Sequence, residues 1–322
     1  MSAGATHWAR IGESTFVAGI WFFYGLHRLV GRRVLRALMW PVVLVHAAAH
    51  PAALRASRDY LRSMHAAHGV PAGGVPGIGA SLRHLFSFAE TILDKLLAFG
   101  GRYPWEQVRF EGLQLVEALR AGGQGALLVT AHMGCLELCQ AAAARMPGLK
   151  LTVLVHTRHA ERFNRVLQRL NPDNPARLLQ VTEVNAATAV DLGQRVAAGE
   201  LVAIAGDRVP VGGGRIAMAP FLGRPAPFPV GAYVLAALLQ CPLLLLGCVR
   251  QGHGHVVHFE LLAQRVELPR SARETLLAQH AARFAARVEA LLVRAPYDWF
   301  NFFDFWGQGA SPSHATTQDN DN

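Results

Sequence analysis

Four short apolar runs, separated by helical segments, most constrain how this chain can fold. They are ALLVT (126–130), LTVLV (151–155), LVAIA (201–205) and PLLLLGCV (242–249). Runs of this kind are typical of strands that are covered on both faces, as in parallel sheets. The pattern predicts an α/β fold with a largely parallel mixed sheet covered by helices on both faces.

The first hundred residues show a helical pattern instead. Two apolar runs, 14–26 and 37–49, flank the basic linker HRLVGRRVLR, and each run carries a tryptophan. Both are shorter than the roughly 20 apolar residues that a membrane-spanning helix needs. Tryptophan and basic residues favour the boundary between water and anionic lipid. We therefore expect a membrane-surface helical hairpin, with two buried helices of a soluble domain as the alternative.

Helix boundaries follow from small polar residues, glycine and proline. Residues 51–69 indicate a basic helix, and residues 70–80 a loop. Ser81 is expected to cap the next helix, which Gly100 ends.

These patterns divide the chain into three parts. They are a helical, membrane-associating region (1–100), an α/β domain (101–308) and a disordered tail (309–322). Within the α/β domain, a helix over 271–293 is expected to open on a capping box of Ser271 and Glu274.

The charge balance points to an anionic partner. The 322 residues include 31 Lys and Arg against 22 Asp and Glu, a formal net charge of +9. Nucleic acid, acidic lipid and an acidic carrier protein all meet this condition. The arginines are scattered and form no nucleic-acid reading motif, so nucleic acid is the least favoured of the three.

The four cysteines form no C-x-x-C pair, which favours reduced, buried thiols in a cytoplasmic protein. Cys135 and Cys139 lie one helical turn apart beside His132. Without a second cluster this spacing is weak evidence for zinc, and we expect no metal site.

Polar residues follow three of the predicted strands. His132 follows the first, Arg158 the second, and Asp207 with Arg208 the third. The carboxyl ends of parallel strands meet at one edge of the sheet, where ligands bind in open α/β folds. The three clusters therefore predict one site, and ordinary surface polarity is the alternative.

His132 and Glu137 are the candidate catalytic pair. With a helix running from about Gly134, Glu137 falls one turn inside it and can reach back toward the imidazole. A carboxylate that accepts from one ring nitrogen makes the other a better base for a hydroxyl proton. The chain lacks the G-x-S-x-G, P-loop and G-x-G-x-x-G motifs.

The segment HMGCLE (132–137) resembles the H-x-x-x-x-E signature of the bacterial lipid A biosynthesis acyltransferases, the lauroyl and myristoyl transferases of the glycerolipid acyltransferase superfamily. Three further blocks follow in the family's order: AGDRVP (205–210), PFLGRPAPFPVGAYVLAALLQCP (220–242) and APYDWFNFFDFW (295–306). The resemblance covers the chain from about residue 100. It looks closest to the branch found with aryl polyene or related glycolipid pathways.

The resemblance implies an acyltransferase that moves a fatty acyl chain from acyl carrier protein to a hydroxyl of a lipid or glycolipid, at the cytoplasmic face of the inner membrane. It makes His132 the general base and Glu137 its partner. Arg158, Asp207 and Arg208 would bind substrate. The partners implied are acyl carrier protein, the acceptor lipid and the membrane surface, without nucleic acid, metal or cofactor.

Two details of the site stay open at this point. The oxyanion of the reaction needs donors, such as the backbone N–H groups near Met133 and Gly134 or an arginine. The aromatic run over 299–306 would line the acyl slot or lie at the membrane interface, with simple core packing as the alternative. A non-catalytic lipid-binding or scaffold protein of the same fold is the competing function.

Overall fold

A computed structural model describes residues 17–143, 145–146, 148–155, 166–167, 169–171, 176–180, 186–210 and 214–309. Arg158 and residues 310–322 of the predicted tail lie outside these ranges.

Eight helices of the described chain surround the sheet. They are α1 (Val17–Ala49), α2 (Pro51–His68), α3 (Ile78–Phe99), α4 (Leu113–Ala121), α5 (Leu136–Ala143), α6 (Ala186–Ala197), α7 (Gly231–Leu239) and α8 (Arg273–Arg294). The helix predicted from residue 51 and the helix end at Gly100 are confirmed, since Gly69 and Gly100 directly follow α2 and α3.

The strands form one large sheet and one hairpin. They are β1 (Val108–Glu111), β2 (Ala126–Thr130), β3 (Leu151–Val155), β4 (Arg177–Gln180), β5 (Leu201–Ala205), β6 (Ile216–Phe221), β7 (Arg224–Pro229), β8 (Leu243–Gln251) and β9 (Gly254–Ala263). The seven-stranded sheet has the order β1-β9-β8-β2-β5-β3-β4, and β6 pairs with β7. Only β8 and β9 run antiparallel within the large sheet, so the predicted largely parallel mixed sheet is confirmed.

Both faces of the sheet are covered because successive strand residues point to opposite sides. On β2, Leu127 and Val129 pack into a core with residues of α2, α7 and α8. Ala126 and Leu128 pack on the other face with residues of α1, α3 and α5. Helices on both faces explain why the strand sequences are apolar without alternation.

Helix α1 contains residues 17–26 of the first apolar run and all of the second run. The chain departs from helical geometry inside it at Gly31, where φ is 73° and ψ is 174°. Four residues spaced by four are buried against residues of α3: Leu35, Met39, Val43 and Ala47. Two helical segments therefore meet at Gly31, inside the basic linker. They do not fold back on each other, since Tyr24 lies against Arg102 and Trp40 stacks on Phe86, and the expected hairpin is wrong.

The described helices are of limited length and apolar composition for crossing a bilayer. None of them alone has both the length and the apolar composition to cross a bilayer. The segments Trp21–Ala49 and Pro51–His68 pass by length and composition only when taken together, and they are bent by 99°.

Both predicted helix caps are wrong. Helix α3 begins at Ile78, so Ser81 lies buried within its first turn instead of capping it. A short 3-10 turn over Arg270–Ala272 precedes α8, and no side chain caps that helix. Glu274 instead forms an ion pair with Arg215.

A buried carboxylate fixes α1 and the sheet to α3. Asp94 is fully buried and accepts from Arg32 of α1 at 2.7 Å and from Arg250 of β8 at 2.6 Å. Burial by itself would raise the pKa of Asp94, but the charges of Arg250 and Arg32 hold it below its ordinary value. The carboxylate is therefore ionised at neutral pH.

We predict that Asp94→Asn lowers the free energy of unfolding by about 3 kcal/mol, because it leaves two partly buried guanidinium groups without their counter-charge. Urea unfolding followed by circular dichroism measures this. The difference from the wild type should shrink as the pH falls below the ordinary carboxyl range, because a group with a depressed pKa loses its contribution on protonation.

The matched control is Asp59→Asn. Asp59 pairs with Arg224 at 2.9 Å, but both side chains are about half exposed. Its loss should cost less than about 1 kcal/mol. Equal losses in the two variants would contradict the prediction.

Candidate active site

The site forms where β2 and β5 end side by side. Thr130 and Ala205 are paired in the sheet, so the residues that follow each strand meet at its edge. Asp207 Oδ1 lies 2.6 Å from His132 Nδ1, and the backbone N–H of His132 donates to Asp207 Oδ2 at 2.8 Å. The predicted convergence of these two polar clusters is confirmed, and the third, around Arg158, lies outside the described residues.

Asp207 is fully buried and is held by the C-terminal segment as well. Its Oδ2 also accepts from Asn301 Nδ2 at 2.8 Å and from Trp299 Nε1 at 3.3 Å. Burial alone would raise the pKa of Asp207. The charge of His132, the hydrogen bond that His132 donates and the charge of Arg208 together hold this pKa well below the usual range. A fixed anion therefore lies behind the imidazole.

This contact determines which nitrogen of His132 is basic. An ionised carboxylate only accepts hydrogen bonds, so Nδ1 must carry a proton and the neutral ring has its lone pair on Nε2. The side chain is 34% exposed, so part of the ring faces outward. Burial and then the charge of Arg208 lower the pKa of His132 from its ordinary value, against the raising effect of Asp207. At pH 7 the ring is neutral and Nε2 can accept a proton.

Arg208 ties the C-terminal segment to the site. Its Nε donates to Asn301 Oδ1 at 2.8 Å, and a terminal nitrogen donates to the Phe300 carbonyl at 3.0 Å. Burial lowers the pKa of Arg208 to about 10, which leaves it charged at neutral pH. Its predicted part in substrate binding stays a prediction.

The turn after β2 is held by backbone hydrogen bonds. Met133 N–H donates to Ala131 O at 2.7 Å, and Gly134 N–H donates to Asp298 O at 2.8 Å. Gly134 has a φ of 51°, and a Cβ there would collide with the Cys248 carbonyl, so glycine is required. The backbone N–H groups of Met133 and Gly134 thus donate to carbonyl groups of the protein itself, and the source of the oxyanion donor, these groups or an arginine, stays a prediction.

Glu137 does not contact the imidazole. It lies in the first turn of α5, and its Oε1 forms an ion pair with Lys95 Nζ of α3 at 2.8 Å. The carboxylate that orients His132 is Asp207, so the expected direct contact between Glu137 and the ring is wrong. A catalytic role of Glu137 by another route remains a prediction.

Trp299 and Asn301 were not predicted from the sequence as partners of Asp207. The only signal was their position in the block at 295–306, where one asparagine stands among aromatic residues. The aromatic residues themselves mostly form core: Trp299, Phe300, Phe303 and Phe305 are buried.

None of the four cysteines forms a disulfide. Cys135 and Cys139 are free and buried, as expected. Within the described ranges, no group of three or more His, Cys, Asp and Glu residues has the geometry of a metal site.

The chain matches a known protein family over much of its length. Residues 98–307 match the family described as bacterial lipid A biosynthesis acyltransferase. That range includes His132, Glu137, Asp207 and Arg208. No curated relative matches the chain.

We predict that Asp207→Asn lowers the pKa of His132 by about one unit, because it removes the negative charge that favours the imidazolium. A pH titration of the His132 ring signals by NMR, assigned by their loss in His132→Gln, measures the shift. Asp191→Asn, at an exposed ion pair on α6, is the control and should leave the titration unchanged. An unchanged or raised pKa in Asp207→Asn would contradict the pairing.

Proposed function

The chain belongs to the bacterial lipid A biosynthesis acyltransferase family, and on that premise we propose that it transfers a fatty acyl chain from acyl carrier protein to a hydroxyl of a lipid or glycolipid acceptor. The observation that carries the proposal is the hydrogen bond of 2.6 Å between His132 and Asp207. It places a neutral imidazole, oriented by a buried carboxylate, at the sheet edge where α/β folds bind ligands.

His132 acts as the general base. Its Nε2 takes the proton from the acceptor hydroxyl while the hydroxyl oxygen attacks the thioester carbonyl carbon. The tetrahedral intermediate then breaks its carbon–sulfur bond, and the imidazolium returns the proton to the leaving thiolate. Asp207 stabilises the imidazolium between these steps, and base catalysis of this kind contributes about 10²- to 10⁴-fold.

The intermediate also carries an oxyanion. One well-placed donor for such a charge is worth roughly 3 kcal/mol. With the N–H groups of Met133 and Gly134 engaged elsewhere, a cationic side chain is the better source of this stabilisation. Arg208 is one candidate because its charge already acts on His132.

The donor and acceptor follow from charge and resemblance. An acidic acyl carrier protein suits a chain with a net charge of +9. The acceptor is lipid A itself or another glycolipid, including the aryl polyene lipids that the sequence blocks resemble. Arg158 remains a proposed additional contact for an anionic group.

We place the protein at the cytoplasmic face of the inner membrane, held there by α1. Several large apolar side chains of this helix are exposed: Leu29, Val34, Leu38, Trp40, Val42, Leu44 and Val45. The same helix carries Arg28, Arg33 and Arg36. Apolar residues beside arginines match an anionic lipid surface.

We predict that His132→Ala lowers acyl transfer at least about 10²-fold, because Nε2 is the only base proposed for the reaction. The assay uses purified protein, bacterial membrane lipid, and acyl carrier protein loaded with a radiolabelled fatty acyl chain. The acylated product is identified by mass spectrometry. Acyl coenzyme A in place of the carrier protein tests the donor.

The matched control is His253→Ala, at the exposed turn between β8 and β9, which should leave the rate unchanged. Transfer at full rate by His132→Ala would overturn the mechanism. Lipid binding without any turnover by the wild type would favour the non-catalytic alternative.

We also predict that Val42→Glu/Val45→Glu lowers the affinity for phospholipid vesicles about 100-fold. It removes two apolar side chains, worth roughly 1.5 kcal/mol each on burial, from the lipid-facing surface of α1. Co-sedimentation with vesicles of mixed anionic and zwitterionic phospholipid measures this. Val190→Glu/Leu238→Glu changes two equally exposed residues on α6 and α7 and should bind like the wild type. Equal loss in both variants would refute the role of α1.

A further inference from the structure

A second ion pair involves Glu137, in the first turn of α5 and five residues after the proposed catalytic histidine. Lys95 of α3 and Glu137 of α5 meet at 2.8 Å, and their side chains are only 20% and 18% exposed. Glu137 Oε2 is buried and has no hydrogen-bond partner in the described structure. Since the imidazole is already oriented by Asp207, the sequence signature's glutamate needs another explanation.

We propose that Glu137 serves catalysis through Lys95, holding its ammonium group beside the His132–Asp207 pair, so that Lys95 is a positioning residue of the site. The proposal rests on the proposed acyltransferase function and deepens it. It assigns a role to a residue that lies before the part of the chain matched by the family.

The charges around His132 support this role. Asp207 acts to raise the pKa of His132, whereas Arg208 and Lys95 both act to lower it, after the larger effect of burial. Lys95 therefore opposes protonation of the ring and keeps Nε2 able to accept a proton at lower pH. A cation so placed also favours the negative charge that develops on the thioester oxygen.

Glu137 pairs directly with Lys95, and other ionisable groups near them are engaged elsewhere or neutral. The preceding residue, Asp94, is engaged with Arg32 and Arg250. His255, also near Asp94, stays neutral because burial lowers its pKa to about 3. The nearby Cys135 thiol is neutral as well, since burial raises its pKa well above its ordinary value.

The test compares neutral versions of the ion pair. Lys95→Gln/Glu137→Gln replaces both charges by amides that can still hydrogen-bond. Net charge is unchanged, so long-range attraction to an acidic donor is unchanged too. The matched control is Arg195→Gln/Glu200→Gln, a partly buried pair next to the amino end of β5, away from His132.

The readout is the pH profile of kcat/KM for acyl transfer, whose acidic limb reports protonation of the free base. Loss of the Lys95 charge should move this limb to higher pH by at least about 0.3 unit. The control and Lys95→Arg should keep the wild-type limb. Lys95→Gln alone should move the acidic limb in the same direction as the double variant does. If the double variant does not fold, the limb of Lys95→Gln tests the role of Lys95.

The step from Lys95→Gln to the double variant tests the role of Glu137. If Glu137 acts through Lys95, removing it once the lysine is gone changes kcat/KM by less than about twofold. A further loss of about tenfold or more, or an acidic limb that stays in place, overturns the proposal. If the Lys95 and Glu137 variants give such a result while His132→Ala is inactive, only the role of Lys95 is refuted and the proposed function stands. If His132→Ala is active, the proposed mechanism itself is refuted.

Discussion

The buried carboxylate of Asp207 is the interaction on which the site depends. An ionised group inside a protein is costly unless donors surround it. Asp207 has four such donors, from the backbone and ring of His132, from Trp299 and from Asn301. They belong to two segments far apart in the chain. The turn after β2 and the C-terminal segment must therefore both be in place before the anion is satisfied, and the imidazole is oriented by the same step.

Much of the framework could be predicted because strands buried on both faces leave a plain apolar signature. The runs at 126–130, 151–155 and 201–205 coincide with β2, β3 and β5. The meeting of His132 with Asp207 and Arg208 followed from the rule for carboxyl ends of parallel strands. The identity of the partner did not follow, because sequence proximity favoured Glu137. Asp207 lies 75 positions from His132 in the sequence, and it reaches the imidazole because β5 lies beside β2 in the sheet.

The errors at helix ends have physical reasons. Ser81 and the pair Ser271 and Glu274 fit capping patterns, but those patterns describe local hydrogen bonds and ignore packing. Helix α3 starts earlier, at Ile78, and its Ser81 is buried within the fold. Asn301 was missed for the opposite reason: its importance comes from the buried anion that it satisfies, and nothing in its local sequence reports that anion. The proposed division into three parts stays a prediction.

Helix α3 connects the surface proposed to meet lipid with the edge of the sheet that carries His132. Its consecutive residues Asp94 and Lys95 point about 100° apart around the helix axis. Asp94 binds Arg32 of α1, and Lys95 binds Glu137 of α5. Both contacts are at most partly exposed, so α1 and α5 are fixed to one rigid element. If α1 lies on the membrane, the distance from the lipid surface to His132 is set by this helix, as expected for an enzyme whose acceptor stays in the bilayer.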